Sequence, residues 1–366
     1  MKISVKDLCT FLDREVPLSF QESWDNSGLQ VLAANDEISS ALLTVDVTEE
    51  VLDEAVTLGC GLIISHHPLI FHPLKRLTGS TPAERIAAKA ISTGVSIYSA
   101  HTSLDSVNGG ISWKMAEKLS LRNVKVLVPL KGKLMKLVTY VPDLHVTKVR
   151  DAIFEAGAGV VGNYDCCSFS TGGHGTFRGN ESSNPFVGEK GKLHTEQETR
   201  IETIFPSALK EKILKALLMA HPYEEVAYDI YLLENEHPSA GMGCIGEIDD
   251  ALTEMEFVLR LSEVFNARGL RYSELGGRHV KRVALCGGAG SSFINEAVKA
   301  GADAFVTGDL KYHDFLDARG RILLADIGHF EGEKYTTEIL HDLIIKKFPT
   351  FALRFSERNT NPINYL

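Results

Sequence analysis

Three short clusters of histidine and carboxylate, each at the end of an apolar run, are the residues best suited to chemistry. Ser65-His66-His67-Pro68 follows the apolar residues 60–64, and Ala100-His101-Thr102-Ser103-Leu104-Asp105 follows residues 95–99. The third, Gly328-His329-Phe330-Glu331-Gly332-Glu333, comes after Leu323-Leu324-Ala325. Neutral imidazole binds transition metals, and adjacent histidines diverging from a strand end can serve two ions. Each cluster alone also has a plain reading, a histidine hydrogen-bonding within a loop. Three of them at three strand ends favour metal. Asp105 is a reasonable carboxylate ligand, while His101 fits a ligand, a partner holding a ligand, or a proton shuttle. His329 and Glu333 are four residues apart and share a helical face; Glu331 points elsewhere and suits a helix N-terminus, where a carboxylate favours the dipole. Five protein ligands with a bridging carboxylate fit two ions better than one. Two ions roughly 3.5–4 Å apart can activate water and polarise a phosphoryl or carbonyl-like oxygen.

Such clusters need elements that gather strand ends. Residues 41–45, 60–64 and 95–99 read as buried strands, separated by helical stretches at 49–58 and 81–93. Near the other end, 280–285 reads as a strand running into Gly287-Gly288-Ala289-Gly290 and a helix at 292–300, with short strands at 304–306 and 322–324. This rhythm predicts mainly parallel sheets covered by helices, with ligands just beyond the carboxyl ends of the strands. The segment opening at His329 reads as one helix running towards Ile345. The middle has another grammar. Residues 136–141, 165–171, 199–204 and 226–233 read as strands, 146–156 and 206–219 as helices, and 179–192 as a polar loop. The order β-α-β-β-α-β is that of a ferredoxin-like α+β module. The expected fold is therefore an α/β body of two β-α-β-type halves, residues 1–130 and 236–366, interrupted by an inserted domain at 131–235.

A chain of 366 residues has room for two or three domains, and its formal net charge of -10 argues against a broad nucleic-acid surface, which needs a basic stripe. A local basic pocket for a phosphorylated small molecule is compatible with that charge. The six cysteines form no C-x-x-C pair and several sit in apolar strand-like runs, which predicts buried free thiols in a reducing compartment. Charges within the first seven residues leave no signal-peptide core, and no apolar run approaches the roughly 20 residues that span a bilayer. A cytoplasmic location is expected.

Several motifs together resemble the signature of the Nif-three-like family, whose members carry the name GTP cyclohydrolase 1 type 2 homolog. They are Glu22-Ser23-Trp24-Asp25-Asn26-Ser27-Gly28-Leu29, Asp46-Val47-Thr48, Ser65 to Pro68, His101 to Asp105, Thr307-Gly308-Asp309 and Gly328 to Glu333. The resemblance covers both flanking halves in the family's order. The middle is similar to the PII-like insert of the longer bacterial members, and His221-Pro222-Tyr223-Glu224-Glu225 fits that comparison. The resemblance implies that His66, His67, Asp105, His329 and Glu333 hold two divalent transition-metal ions, with Glu333 bridging. It also implies a toroidal homohexamer with its sites facing an internal cavity. Ser27 stands where many members have an aliphatic residue, so local packing is expected to differ there.

The leading functional expectation is a metal-dependent hydrolase acting on a nucleotide or related phosphorylated small molecule. His101 is the candidate general acid/base. Histidine and carboxylate accept Zn, Fe, Mn or Co, so the ligand set does not name the metal. A phosphoesterase is the enzymatic alternative; a metal-handling or regulatory assembly is the other. Gly287 to Ser291 offers backbone N–H groups for an anion or simply makes a turn. Asp309 and His313 either line the cavity or are solvated residues at a helix start. Trp24 reads as a packing residue rather than a base-stacking platform.

Overall fold

Alternation decides how the first half is layered. Every residue of the strands Ser40–Thr44, Leu62–Ser65 and Ser96–Ser99 is buried, the mark of strands covered on both faces. Leu42, Ile63 and Ile97 turn to one side, packing with Val51, Leu52 and Ala87 of the helices Glu49–Thr57 and Pro82–Thr93. Leu43, Ile64 and Tyr98 turn to the other side and enter the main core. Thr48 and Thr81 cap the two helices by accepting the N–H groups of Val51 and Glu84. The five strands lie in the order Ala352–Phe355, Ser40–Thr44, Leu62–Ser65, Ser96–Ser99, Gly28–Val31, parallel except for the last pair.

The computed structural model describes residues 1–237 and 239–366, which divide into two compact units. One joins Met1–Pro129 to Ser239–Leu366; the other is Leu130–Pro238. Within the first unit a second sheet repeats the layering. Its six strands run Arg271–Tyr272, Leu323–Asp326, Ala304–Gly308, His279–Ala289, Gly241–Thr253, Arg122–Pro129. Ala284, Phe305 and Leu324 pack with Ile294, Ala297 and Ala318 on one face, while Val283, Val306 and Ala325 join the main core on the other. That core also takes the inner faces of the helices Val5–Glu15, Ile111–Lys118, Glu254–Phe265 and Thr336–Lys347.

The fold is mixed α/β with several sheets, and two expectations need correction. The second sheet is parallel only at its centre, because the long Gly241–Thr253 strand and Arg122–Pro129 both pair antiparallel. Glu247, Asp249 and Asp250 interrupt the apolar run in the first of these, so it lacks the look of a buried strand. The single helix expected from His329 to Ile345 is two, His329–Glu333 and Thr336–Lys347. The joint is pinned from the side: Lys334 Nζ donates to Phe265 O at 2.6 Å and Tyr335 OH to Val264 O at 3.3 Å.

The Leu130–Pro238 unit has the element order Leu134–Pro142, Val146–Glu155, Phe169–Phe177, His194–Pro206, Lys210–Ala220, Tyr228–Leu233, strand and helix alternating as β-α-β-β-α-β. Its sheet places Tyr228–Leu233, Leu134–Pro142, His194–Pro206 and Phe169–Phe177 side by side, every pair antiparallel. Leu137, Val141, Ile201 and Phe205 pack with Val149, Ile153, Ile213 and Leu217 of the two helices.

Cys9, Cys60, Cys244 and Cys286 are buried free thiols, but Cys166 is exposed and Cys167 half-buried, since both lie in a turn rather than an apolar strand. Among the described residues, no helix is long and apolar enough to cross a membrane.

Candidate metal centre

Two parallel strands deliver the first group of side chains. Ser65 and Ser99 are register partners, so the chain leaves both strands at the same sheet edge. Their hydroxyls meet at 2.8 Å, and Ser65 Oγ donates to His67 O at 2.8 Å, fixing the path of the His66-His67 turn. One helical turn, Thr102–Asp105, then carries Asp105 towards the same point. The second sheet supplies the rest. Beyond Leu323–Asp326 the chain turns at Gly328, whose φ of 94° suits glycine, and enters the helix His329–Glu333. Asp326 locks this turn: its Oδ1 accepts from Gly328 N at 3.0 Å, while Oδ2 accepts from Leu310 N at 3.0 Å and from the Arg271 guanidinium.

Four imidazoles are gripped by the same ring nitrogen. His66 Nδ1 lies 2.9 Å from the Ala100 carbonyl, and His67 Nδ1 lies 2.7 Å from Asp46 Oδ1. His101 Nδ1 lies 2.7 Å from Asp25 Oδ1, and His329 Nδ1 2.7 Å from Asp309 Oδ2. These oxygens accept, so each Nδ1 carries the proton and a neutral ring keeps its lone pair on Nε2. The Nε2 atoms of His67 and His329 face each other at 3.3 Å and lie 3.0 and 2.9 Å from Glu333 Oε2. His66 Nε2 is 3.5 Å from the other carboxylate oxygen, Glu333 Oε1, and 4.0 Å from Asp105 Oδ1.

This convergence has no explanation within the protein's own hydrogen bonds. His66 Nε2, Asp105 Oδ1 and Glu333 Oε2 are all buried without a hydrogen-bond partner. Glu333 Oε2 is close to two nitrogens, yet neutral rings protonated on Nδ1 offer it no N–H. Each such buried group costs on the order of 1–3 kcal/mol, and lone pairs facing lone pairs repel unless a cation stands between them. Nitrogen and carboxylate oxygen are the donors that transition metals take. One atom each from His66, His67 and His101 lie within 4.8 Å of one another, as do one each from His67, His329 and Glu333, so both groups could hold a metal ion.

The charges agree with the geometry. Burial opposes a charge on His67, but Asp46 and Glu333 outweigh it and raise its pKa to about 10. His329 is raised to about 9 in the same way, against burial, by Glu333 and Asp309. Burial lifts Asp105 to about 7, while the histidines hold Glu333 well below the usual carboxylate range despite its burial. The site is built to surround positive charge.

A family model described as Duf34/NIF3 (NGG1p interacting factor 3) matches residues 3–362. The chain belongs to the Duf34/NIF3 family. Among its relatives, the GTP cyclohydrolase 1 type 2 homolog of Halalkalibacterium halodurans is 40% identical over 362 residues, spanning 97% of this chain and 96% of that one. The counterpart of the same name in Bacillus subtilis is 37% identical over 360 residues, spanning 96% and 95%. The crystal structure of a Bacillus cereus protein related to NIF3 superposes with a TM-score of 0.83 at 36% identity, covering 100% of this chain and 99% of that one.

In this Duf34/NIF3 chain, His66, His67, Asp105, His329, Glu333 and His101 are all brought to one place. Asp309 also reaches it, through His329, whereas His313 stays on the exposed surface. Glu331 turns away from the histidines, lies in the first turn of the helix His329–Glu333, and is buried, accepting from Asn361 Nδ2 at 3.1 Å. The glycines at 287–290 fit a packing role. A Cβ at Gly288 would collide with Glu333 Oε1, and its φ of 61° is one glycine adopts easily. Trp24 corrects its expectation: it is 57% exposed, with its ring 5.9 Å from His101 and 5.9 Å from Phe71. Sequence reasoning gave Asp25 and Asp46 no role, and their place inside the Trp24-Asp25 and Asp46-Val47 motifs was the available signal. Ser27 joins the same network, donating to Asp25 Oδ2 at 2.9 Å and accepting from His101 N at 3.2 Å.

Proposed function

We propose that this chain is a metal-dependent hydrolase that holds two divalent transition-metal ions and acts on a nucleotide or a related phosphorylated small molecule. The observation that carries this reading is the set of buried acceptors without partners, converging from His66, Asp105 and Glu333. His66, His67, Asp105, His329 and Glu333 are the proposed ligands. Glu333 suits the bridging role because Oε1 faces His66 while Oε2 faces His67 and His329. Bound there, such ions supply Lewis-acid chemistry, activating water and polarising a phosphoryl or carbonyl-like oxygen. Zn, Fe, Mn and Co all fit the donors.

The protein's own part is to move a proton and seat the substrate. His101 is the proposed general acid/base. Asp25 holds its Nδ1–H, as an orienting carboxylate does in a catalytic dyad, and leaves Nε2 to take or give a proton. Asp25 is itself fixed as the anion: burial opposes its charge, but hydrogen bonds from His101 and Thr102 lower its pKa far below the usual range. Trp24 and Phe71, both exposed beside His101, offer faces on which a base could stack. The relatives' name makes GTP the first substrate to try.

The deciding experiment is turnover of a nucleotide and phosphoester panel by the metal-loaded protein, beside its His67→Ala variant. Formate release from GTP, lost in the variant, is the expected result; phosphate release alone would make it a phosphoesterase. Silence across the panel, with metal bound, would overturn the hydrolase reading in favour of metal handling.

The assembly, domain and compartment readings belong to the same proposal. A toroidal homohexamer is proposed from the family resemblance, and a 40.1 kDa particle in light scattering would defeat it. Residues 131–235 are proposed as a PII-like domain inserted into a body of residues 1–130 and 236–366, supported by the β-α-β-β-α-β order and antiparallel sheet. Cytoplasmic location is proposed from the free thiols and is checked by cell fractionation.

A further inference from the structure

The sheet of the Leu130–Pro238 unit has one face without helices. Its strands alternate, so while Val141, Ile201 and Leu137 meet the helices, the residues between them point the other way. Arg200 is the register partner of Tyr140, and Glu198 that of Gly173, which puts these side chains on the helix-free face. A cavity of about 590 Å³ lies there, within the roughly 300–1,000 Å³ of small-molecule sites.

Its walls are aromatic. Phe177 and Phe186 stand around Tyr223 with ring centroids at 5.9 and 6.3 Å and interplanar angles of 60° and 51°. Rings set at such angles are not stacked on each other, so faces remain for a ligand. Also lining the cavity is Glu198, a carboxylate only 8% exposed. Tyr223 OH donates to its Oε1 at 2.8 Å. Among the described residues no cationic side chain pairs with it. Arg178 and Arg200 also line the cavity but neither forms an ion pair with Glu198; Arg200, two residues along the same strand, shares Glu202 with Lys136, at 2.8 and 2.9 Å. A Cβ at Gly175 would collide with the Glu198 carboxylate, so glycine there is what leaves the group its place.

A buried carboxylate without an ion-pair partner, set among aromatic faces, is the chemistry that recognises an organic cation. We infer that this cavity binds a small organic cation, an ammonium, amidinium or guanidinium group on a compact hydrophobic body, with Glu198 as its counter-charge. The site is separate from the proposed metal ligands in sequence and does not depend on their reading. Tyr223 supports it: burial and the Glu198 charge raise its pKa, so the phenol stays a donor.

The test is calorimetric titration of the full-length protein with benzamidine, with neutral benzamide and anionic benzoate as shape controls. Saturable binding of benzamidine alone is expected. Glu198→Gln keeps an oxygen for Tyr223 and should weaken that binding at least about 10-fold, since one lost ion pair is worth about 1.4 kcal/mol or more. Phe186→Ala, at a 53% exposed loop residue, should weaken it by about 2- to 30-fold. Equal affinity for benzamide, unchanged affinity in Glu198→Gln, or no binding up to about 10 mM would overturn the inference. So would a change in light-scattering mass on Phe186→Ala, which would make this face a contact between copies.

Discussion

The candidate metal centre and the aromatic cavity are built on opposite logics. The centre collects side chains from strand ends, where a turn aims each one and a second residue grips it from behind. The cavity sets Glu198 and Arg200, which alternation along one strand puts on the same face, against rings from a strand end and from loops, Phe177, Phe186 and Tyr223. A strand-end site is therefore stiff and made of many small supports. The cavity depends on strand register for its carboxylate and on a few large rings. Removing single residues should separate the two.

The largest effect is expected for Glu333→Ala, which removes both oxygens shared by His66, His67 and His329. Elemental analysis should find most of both ions gone, whereas Glu331→Ala should keep them, since Glu331 contacts Asn361 and not the histidines. Equal metal content in the two variants would break the proposed ligand register. Next come the supports. Asp46→Asn and Asp309→Asn leave the ligands in place but loosen the grip on His67 and His329, and should cost about 10- to 100-fold in metal affinity by chelator competition. No change would mean that the imidazoles are oriented by packing alone.

The third prediction contrasts the two units in pH. His67 at about 10 and His329 at about 9 hold protons in the folded state that the unfolded chain releases near 6.5. In metal-stripped protein their stabilisation is full below 6.5 and is lost as pH rises through 9 and 10. His221 is the reverse. Burial lowers its pKa even though its ring is held near the Tyr140 carbonyl, so its stabilisation is full above 6.5 and is lost as pH falls. Hydrogen-exchange protection, corrected for intrinsic rate, should weaken with base around residues 62–67 and with acid around 136–142. Parallel responses would sink the contrast. The smallest effect is expected from replacing residues 133–233 by a short flexible linker. Leu134 and Leu233 are register partners, so a few residues can join the cut ends, and metal content should not change. A soluble product unable to keep metal would show that the middle supports the site.

The same contrast explains what could be read from the sequence. The convergence of His66, His67 and Glu333 was legible because each stands in a local pattern, a histidine pair after an apolar strand or a four-residue helical step. Asp25 and Asp46 were not, because they support histidines 76 and 21 positions away and only the folded sheet joins them. Trp24 was misread because an aromatic residue in sequence carries no sign of whether it is covered. The strand Gly241–Thr253 was missed where its acidic residues break the apolar run. For the cavity, the order of elements was legible but the chemistry was not: Glu198 looks like any carboxylate on an alternating strand until its partners are known.

His67 and His329 meet at 3.3 Å across 262 positions of chain. A ribosome makes the N-terminal part first. His66, His67 and Asp105 therefore emerge long before His329 and Glu333 exist, and a nascent chain can offer only three of the five proposed ligands. Products truncated before His329 would keep the His66, His67 and His101 group but should fail to hold the proposed pair of ions. On the proposed reading, loading of both ions would wait until synthesis has passed Glu333.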